Sequence, residues 1–195
     1  MKVAFGLKAH SGWAALVVVS SQHDEVVMVD RRRIELVDQA WAKQPYHAAE
    51  GLERQAAREL VKRGIDTAHR LALSEMKAAI KRERDRKNEV AGCAVLVGAP
   101  MPDWNTDEIL AVHFRMHKAE GVLFQNALVR AAEKCELNTL PVLEKELVAQ
   151  ASSQLRNQTD RLVKQIAALG KTVGAPWGKD QKDATLVALM ALNRS

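Results

Sequence analysis

The chain has few of the residues that mark a secreted or metal-stapled protein. Only two cysteines occur in 195 residues. Cys93 lies in an apolar run and Cys135 in a helical pattern, without CxxC spacing or companions for a zinc site. Both are expected to be reduced packing thiols. Aromatic residues make up 4% of the chain, so base-stacking groups are scarce. No apolar run approaches the ~18 to 20 residues of a membrane helix, which predicts a soluble protein with no membrane partner. The opening Met1 to Gly6 leads into a strand that Lys8 and His10 interrupt too soon for a secretory apolar region, and a cytoplasmic location is expected. No nucleophile elbow or Cys-His pattern is present, since Cys93 is expected to be buried and Ser11 lacks the required turn. Charge of one sign is also in short supply. Lys and Arg number 29 against 24 Asp and Glu, a formal net charge of +5 that favours anionic partners only slightly.

What is present reads as one domain over residues 1–195, with a hydrophobic share of 47% that is ample for a core. Residues 2–8 and 13–20 alternate as strands around a His10-Ser11-Gly12 turn. Residues 25–37 continue as a third strand, with an irregularity expected at Arg31-Arg32-Arg33. After Pro45, apolar residues from Leu52 to Ile80 recur near every 3.6 positions, predicting one or two helices across 48–87, with Gly64 as a bend. Gly92 to Ala99 is short, continuously apolar and bounded by glycine, as a strand covered on both faces should be. Asn105 or Thr106 can cap a helix, another runs from about His117 to Cys135, and Thr139 to Leu143 forms a short fifth strand. Helices over about 145–169 and 180–192 close the chain, with Gly170 and Gly174 to Gly178 as a stop and a rigid loop in which Trp177 is an anchor.

This order of elements resembles the ribonuclease-H-like superfamily. Within it, Met116 to Leu123, Leu140-Pro141-Val142 and the final Asp180-Gln181-Lys182-Asp183-Ala184-Thr185-Leu186-Val187-Ala188 are similar to passages of RuvC-type Holliday-junction resolvases. The resemblance implies an α/β fold with a five-stranded mixed sheet, three N-terminal strands antiparallel, flanked by helices. It also implies carboxylates on the first strand, fourth strand and last helix that hold two divalent ions for phosphodiester cleavage. Lys8 stands where the first carboxylate belongs, and the fourth strand ends Val97-Gly98-Ala99-Pro100 with no acid before Asp103. Only Asp183 transfers directly, with Asp180 one turn away, so the resemblance implies a degenerate metal site.

Three readings follow. In the first, the chain binds nucleic acid or acts as a scaffold without cutting. Lys8 and His10 at the sheet edge, Arg31 and Arg33 sharing one face of their strand, and His47 beside Tyr46 are the candidate phosphate-binding groups. The structural reading of the same residues is a salt bridge from Lys8 to Asp183 that fills the metal position, and arginines that blunt edge pairing. In the second, Glu120, Asp180 and Asp183, helped by Glu35 or Asp103, form a rearranged catalytic site for one Mg²⁺ or Mn²⁺, with Asp183 and Glu120 as ligands. His113, His117 and Glu120 also share one helix face, an arrangement from which two side chains reach one metal. In the third, the chain is a protein-interaction or dimerisation module with the helix of residues 48–87 as its contact surface, for a second copy in a homodimer or for a foreign partner.

Overall fold

The fold, a computed structural model describing residues 1–194, grows from an N-terminal meander. Strands β1 (Lys2–His10), β2 (Trp13–Gln22) and β3 (Glu25–Glu35) pair antiparallel in sequence order. Ser11 and Gly12 alone join the first two, because His10 and Trp13 already face each other across the ladder. Gly12 has φ +84°, and side chains of Val37 and Lys43 lie where a Cβ would go. The irregularity in β3 lies at Val29, not at the arginines. Val18 pairs with Asp30 and Val19 with Met28, leaving Val29 as an extra residue.

β4 (Glu89–Val97) then lies parallel against β1, and β5 (Thr139–Leu143) parallel against β4, giving the order β3-β2-β1-β4-β5. Pro141 is tolerated because β5 is an edge strand. Parallel pairing requires long crossovers, which the helices supply. The chain after β3 forms α1 (Pro45–Ala48) and α2 (Arg54–Asp85), and between β4 and β5 lie α3 (Thr106–Leu110) and α4 (His113–Lys134). After β5 come α5 (Leu147–Leu155), α6 (Thr159–Val173) and α7 (Lys179–Asn193).

Several boundaries differ from the sequence expectation for local reasons. α2 runs unbroken through Gly64, whose missing side chain admits Pro45: an added Cβ would lie 2.5 Å from that ring. α4 begins one turn before His117. The helix expected over 145–169 is two helices, separated at Arg156 with φ +50°, a conformation no helix interior accepts. Gly170 is no stop; it lies inside α6 beneath Trp177, whose Nε1–H donates to the Ile166 carbonyl at 2.8 Å. The stop is Gly174, with φ +74°. Cys93 and Cys135 are free, and burial pushes the Cys93 thiol well above the ordinary range. Among the described residues, no helix is long and apolar enough to cross a membrane.

Alternation along β1 sorts the core into two layers. Val3, Phe5 and Leu7 pack with α2 and α4 on one face of the sheet. Ala4 packs with α5, α6 and α7 on the other, where Val17 and Val19 of β2 join it. Gly6 shares that second face and sets how near α7 can come. A Cβ on Gly6 would fall 1.8 Å from the Ala184 carbonyl oxygen and 2.9 Å from the Ala188 Cβ. Helix and strand therefore meet backbone to backbone, with only alanine methyls between them.

Two glycine substitutions should separate sharply in a denaturant melt. Gly6→Val is expected to cost about 3 kcal/mol, because α7 must lift off the sheet to admit it. Gly121→Ala in α4, where nothing lies within 4 Å of the new methyl, is expected to stabilise by about 0.5–1 kcal/mol.

Candidate functional site

Because β1, β4 and β5 are mutually parallel, their carboxyl ends gather at one edge of the sheet. Lys8 lies near the end of β1 on the α7 face, Glu144 follows the last residue of β5, and α7 opens beside both. Gly178 N–H donates to Gln181 Oε1 at 3.0 Å, which fixes the first turn of α7. Asp180 lies in that turn, where the positive end of the helix favours a carboxylate.

The Lys8 ammonium is enclosed by three acids. Its Nζ is 2.8 Å from Glu144 Oε1, 3.3 Å from Asp180 Oδ1 and 3.6 Å from Asp183 Oδ2. Lys179 closes the far side, pairing with Asp183 one helical turn on and lying 3.5 Å from Glu144. His10 Nε2 is 2.9 Å from Asp180 Oδ2. Burial alone would lower the Lys8 pKa, but hydrogen bonds to Glu144 and Asp180 overcome it, and the net shift is upward. The hydrogen bond from Lys8 holds Glu144 below the ordinary carboxylate range. Burial works in the opposite sense at Asp180, yet Lys8 and His10 bring it down as well.

The structure thus brings together Lys8, His10, Asp180 and Asp183, and adds Glu144 and Lys179, which sequence reasoning did not select. The signal for Glu144 was its place directly after a parallel strand; for Lys179, its four-residue spacing from Asp183. Glu120 does not join them. It projects from α4 on the opposite side of the sheet, where Oε1 accepts from the Tyr46 and His47 backbone N–H groups, each at 3.1 Å. Its Oε2 lies 2.7 Å from His47 Nδ1. A single site built from Glu120, Asp180 and Asp183 is therefore not what the fold assembles. Glu35 is engaged by Arg33 at 2.5 Å, and Asp103 lies in an exposed loop. At the end of β4, where a carboxylate was sought, Gln125 Oε1 accepts from Gly98 N–H at 2.7 Å.

A groove of about 560 Å³ adjoins the cluster, lined by Trp13, Arg33, Pro176, Asp180 and Gln181 among others. Arg31 and Arg33 pair with Val17 and Ala15, which places both on the α7 face. They differ in what they touch. Arg31 donates to the carbonyls of Val173 at 2.6 Å, Ala175 at 3.1 Å and Pro176, latching the loop before α7. Arg33 instead lies over the Trp13 ring, 4.1 Å from its centroid, and the His10 ring stacks on Trp13 at 4.3 Å. Arg32 points to the other face and binds Asp30 at 2.6 Å.

Removing the ammonium should reverse the acid response of the fold. In the wild type, the lowered carboxyl pKa values give stability that is present above the ordinary carboxylate range and lost as pH falls through the depressed values. In Lys8→Met, Glu144 and Asp180 lose the hydrogen bonds that hold their pKa values down, so those values rise and protonation relieves the repulsion among the clustered acids. Thermal melts at pH 7 should show a loss of about 2 kcal/mol, less than for a fully buried pair because Glu144 is exposed. Between pH 7 and pH 5 the variant should gain stability while the wild type does not.

No protein-family model matches the chain, and none of the curated proteins matches it. The fold does match solved structures. One is Thermus thermophilus RuvC, with a TM-score of 0.51 and 14% identity over 98% of this chain and 93% of that one. Another is T. thermophilus RuvC in complex with a Holliday junction substrate, at the same TM-score and identity, covering 99% of this chain and 94% of that one. The chain is thus an α/β protein with the ribonuclease-H-like fold of RuvC, a five-stranded mixed sheet with three antiparallel strands between layers of helices.

Proposed function

We propose that this chain is a nucleic-acid-binding member of the ribonuclease-H-like fold whose carboxylate centre is filled by a lysine, so that it holds a polymer without cutting it by two-metal chemistry. The observation that carries this reading is Lys8 Nζ within 3.6 Å of Glu144, Asp180 and Asp183. Two-metal cleavage needs divalent ions between such carboxylates. An ammonium offers three donors and no lone pair, so it satisfies these oxygens while repelling a dication brought beside it. This donor set does not fit the two divalent ions that the resemblance implies.

The groove beside the cluster supports binding of an anionic polymer. Arg33, half exposed and bonded to Glu35 through Nε, offers the rest of its guanidinium for phosphate beside the Trp13 ring that it overlies and the His10 ring stacked on Trp13. Arg31 is a structural latch in this reading and not a phosphate ligand. A RuvC of the same fold is bound to a Holliday junction, which makes branched DNA the first polymer to test. A second reading, a rearranged site for one Mg²⁺ or Mn²⁺, rests on the same three carboxylates and requires Lys8 to withdraw.

Mobility-shift and cleavage assays on branched and duplex DNA separate the two. Wild type is expected to bind with an affinity that falls as salt rises, to bind at least several-fold more weakly as Arg33→Ala, and to leave DNA intact with Mg²⁺ or Mn²⁺. Lys8→Asp is expected to gain Mg²⁺ binding by calorimetry. Metal-dependent cleavage by wild type that disappears in Asp183→Asn would establish the second reading instead, and failure to retain any DNA at low salt would remove the polymer.

A further inference from the structure

On the face of the sheet opposite Lys8, three histidines converge. His47 comes from α1, and His113 and His117 lie one turn apart on α4. One nitrogen from each lies within 4.8 Å of the other two, and the ring centroids are 4.5 to 5.0 Å apart. His113 Nε2 and His117 Nε2 are separated by 3.1 Å. Ligands to a tetrahedral ion with bonds of ~2.0–2.1 Å stand ~3.3–3.4 Å apart, so this pair is already close to ligating separation.

Glu120 gives the cluster its direction. Both of its oxygens are fixed, one by the Tyr46 and His47 backbone N–H groups and the other by His47 Nδ1. The carboxylate is buried, with 6% of its side chain exposed, and these three donors satisfy its oxygens. A carboxylate oxygen accepts, so His47 Nδ1 is the nitrogen directed at Glu120 and Nε2 is the one left to ligate. That Nε2 is buried and has no hydrogen-bond partner among the described residues. An unpaired ring nitrogen in a buried position calls for an explanation. A cation supplied to it from the side of His113 and His117 is a direct one. The carboxylate-to-histidine hydrogen bond behind a ligating nitrogen is also the arrangement that orients metal-bound imidazoles and raises their basicity.

The geometry points to a binding site for one zinc-class divalent cation, held by His47, His113 and His117 with Glu120 as the positioning residue behind His47. Three imidazoles suit Zn²⁺, Co²⁺ or Ni²⁺ and suit Mg²⁺ poorly, since magnesium favours hard oxygen donors. Three protein ligands leave a fourth position open, and the exposure of His113 and His117 turns it toward solvent, where water or an anionic group can exchange. The ion ties α1 to α4 and so fastens the connection between β3 and α2. The site shares no residue with the Lys8 cluster and does not depend on the nucleic-acid reading.

The test is titration of Zn²⁺ into chelator-treated protein by calorimetry, with Co²⁺ as an optical probe. Wild type is expected to bind one Zn²⁺ with submicromolar affinity, to give the visible absorption of four-coordinate Co²⁺, and to melt several degrees higher with Zn²⁺. His117→Ala, at an exposed position, should weaken binding at least about 100-fold and abolish the Co²⁺ spectrum, with circular dichroism of the metal-free variant checking that it folds. Glu120→Gln should weaken it about 10- to 100-fold, and Asp183→Asn not at all. Wild-type affinity weaker than about 10 μM, binding by His117→Ala within threefold of wild type, or loss of binding in Asp183→Asn would overturn the proposal.

Discussion

Backbone contact between α7 and β1 governs the whole carboxyl edge. Asp and Lys side chains are long enough to meet across many separations, but three acids around one ammonium leave little slack. Asp180 and Asp183 reach Lys8 because Gly6, two residues earlier on the same face of β1, lets the Ala184 carbonyl lie where a side chain would otherwise project. Ala188 and Ala191 continue this small-residue face, the latter 3.5 Å from the position of a Cβ on Gly92 in β4. Shape complementarity at the centre of the sheet thus precedes electrostatics at its edge, and the helix is docked before any charge is counted.

Once docked, α7 delivers an excess of negative charge to a position that β1 answers with one cation. Lys8 and Lys179 together face Glu144, Asp180 and Asp183, and His10 Nε2 lies 2.9 Å from Asp180 Oδ2. The cluster is therefore self-contained in hydrogen bonding, while the adjoining groove presents Arg33, paired with Glu35 and laid over Trp13. Fold and local chemistry can diverge in this way because the fold fixes where side chains converge and leaves their identity open.

The sheet was legible because its evidence is local. Alternation marks β1 to β3, and the glycine-bounded apolar run marks β4. Lys8 at the end of the first strand and Asp180 and Asp183 on the last helix could be placed together once the strand order was assumed. Glu144 could not, since its nearness to Lys8 depends on β5 pairing in parallel with β4, a register that five residues interrupted by Pro141 do not announce. The same limit applied to the histidines. Four-residue spacing showed His113 and His117 on one helix face, but His47 joins them only through the packing of α1 against α4, seventy residues apart in sequence. Glu120 was assigned to the wrong side of the sheet because a helix bordering the central strand can cover either face, and no residue within it decides which.

The extra residue at Val29 has a wider effect than a local bend. Side chains on a strand alternate, so one inserted residue exchanges the facing of everything that follows it. Before Val29, Val26 and Met28 face α6 and α7; after it, Arg31 and Arg33 do, while Asp30 and Arg32 turn toward α2. With uninterrupted pairing the phase would be opposite: Asp30 would meet the carbonyls that Arg31 now binds, and Arg33 would leave Trp13. The polarity of the groove is thus written in a backbone count: the same residues paired without a bulge would carry the arginines to the other side of the protein, whereas a strand lacking Val29 would keep Arg31 opposite Val17.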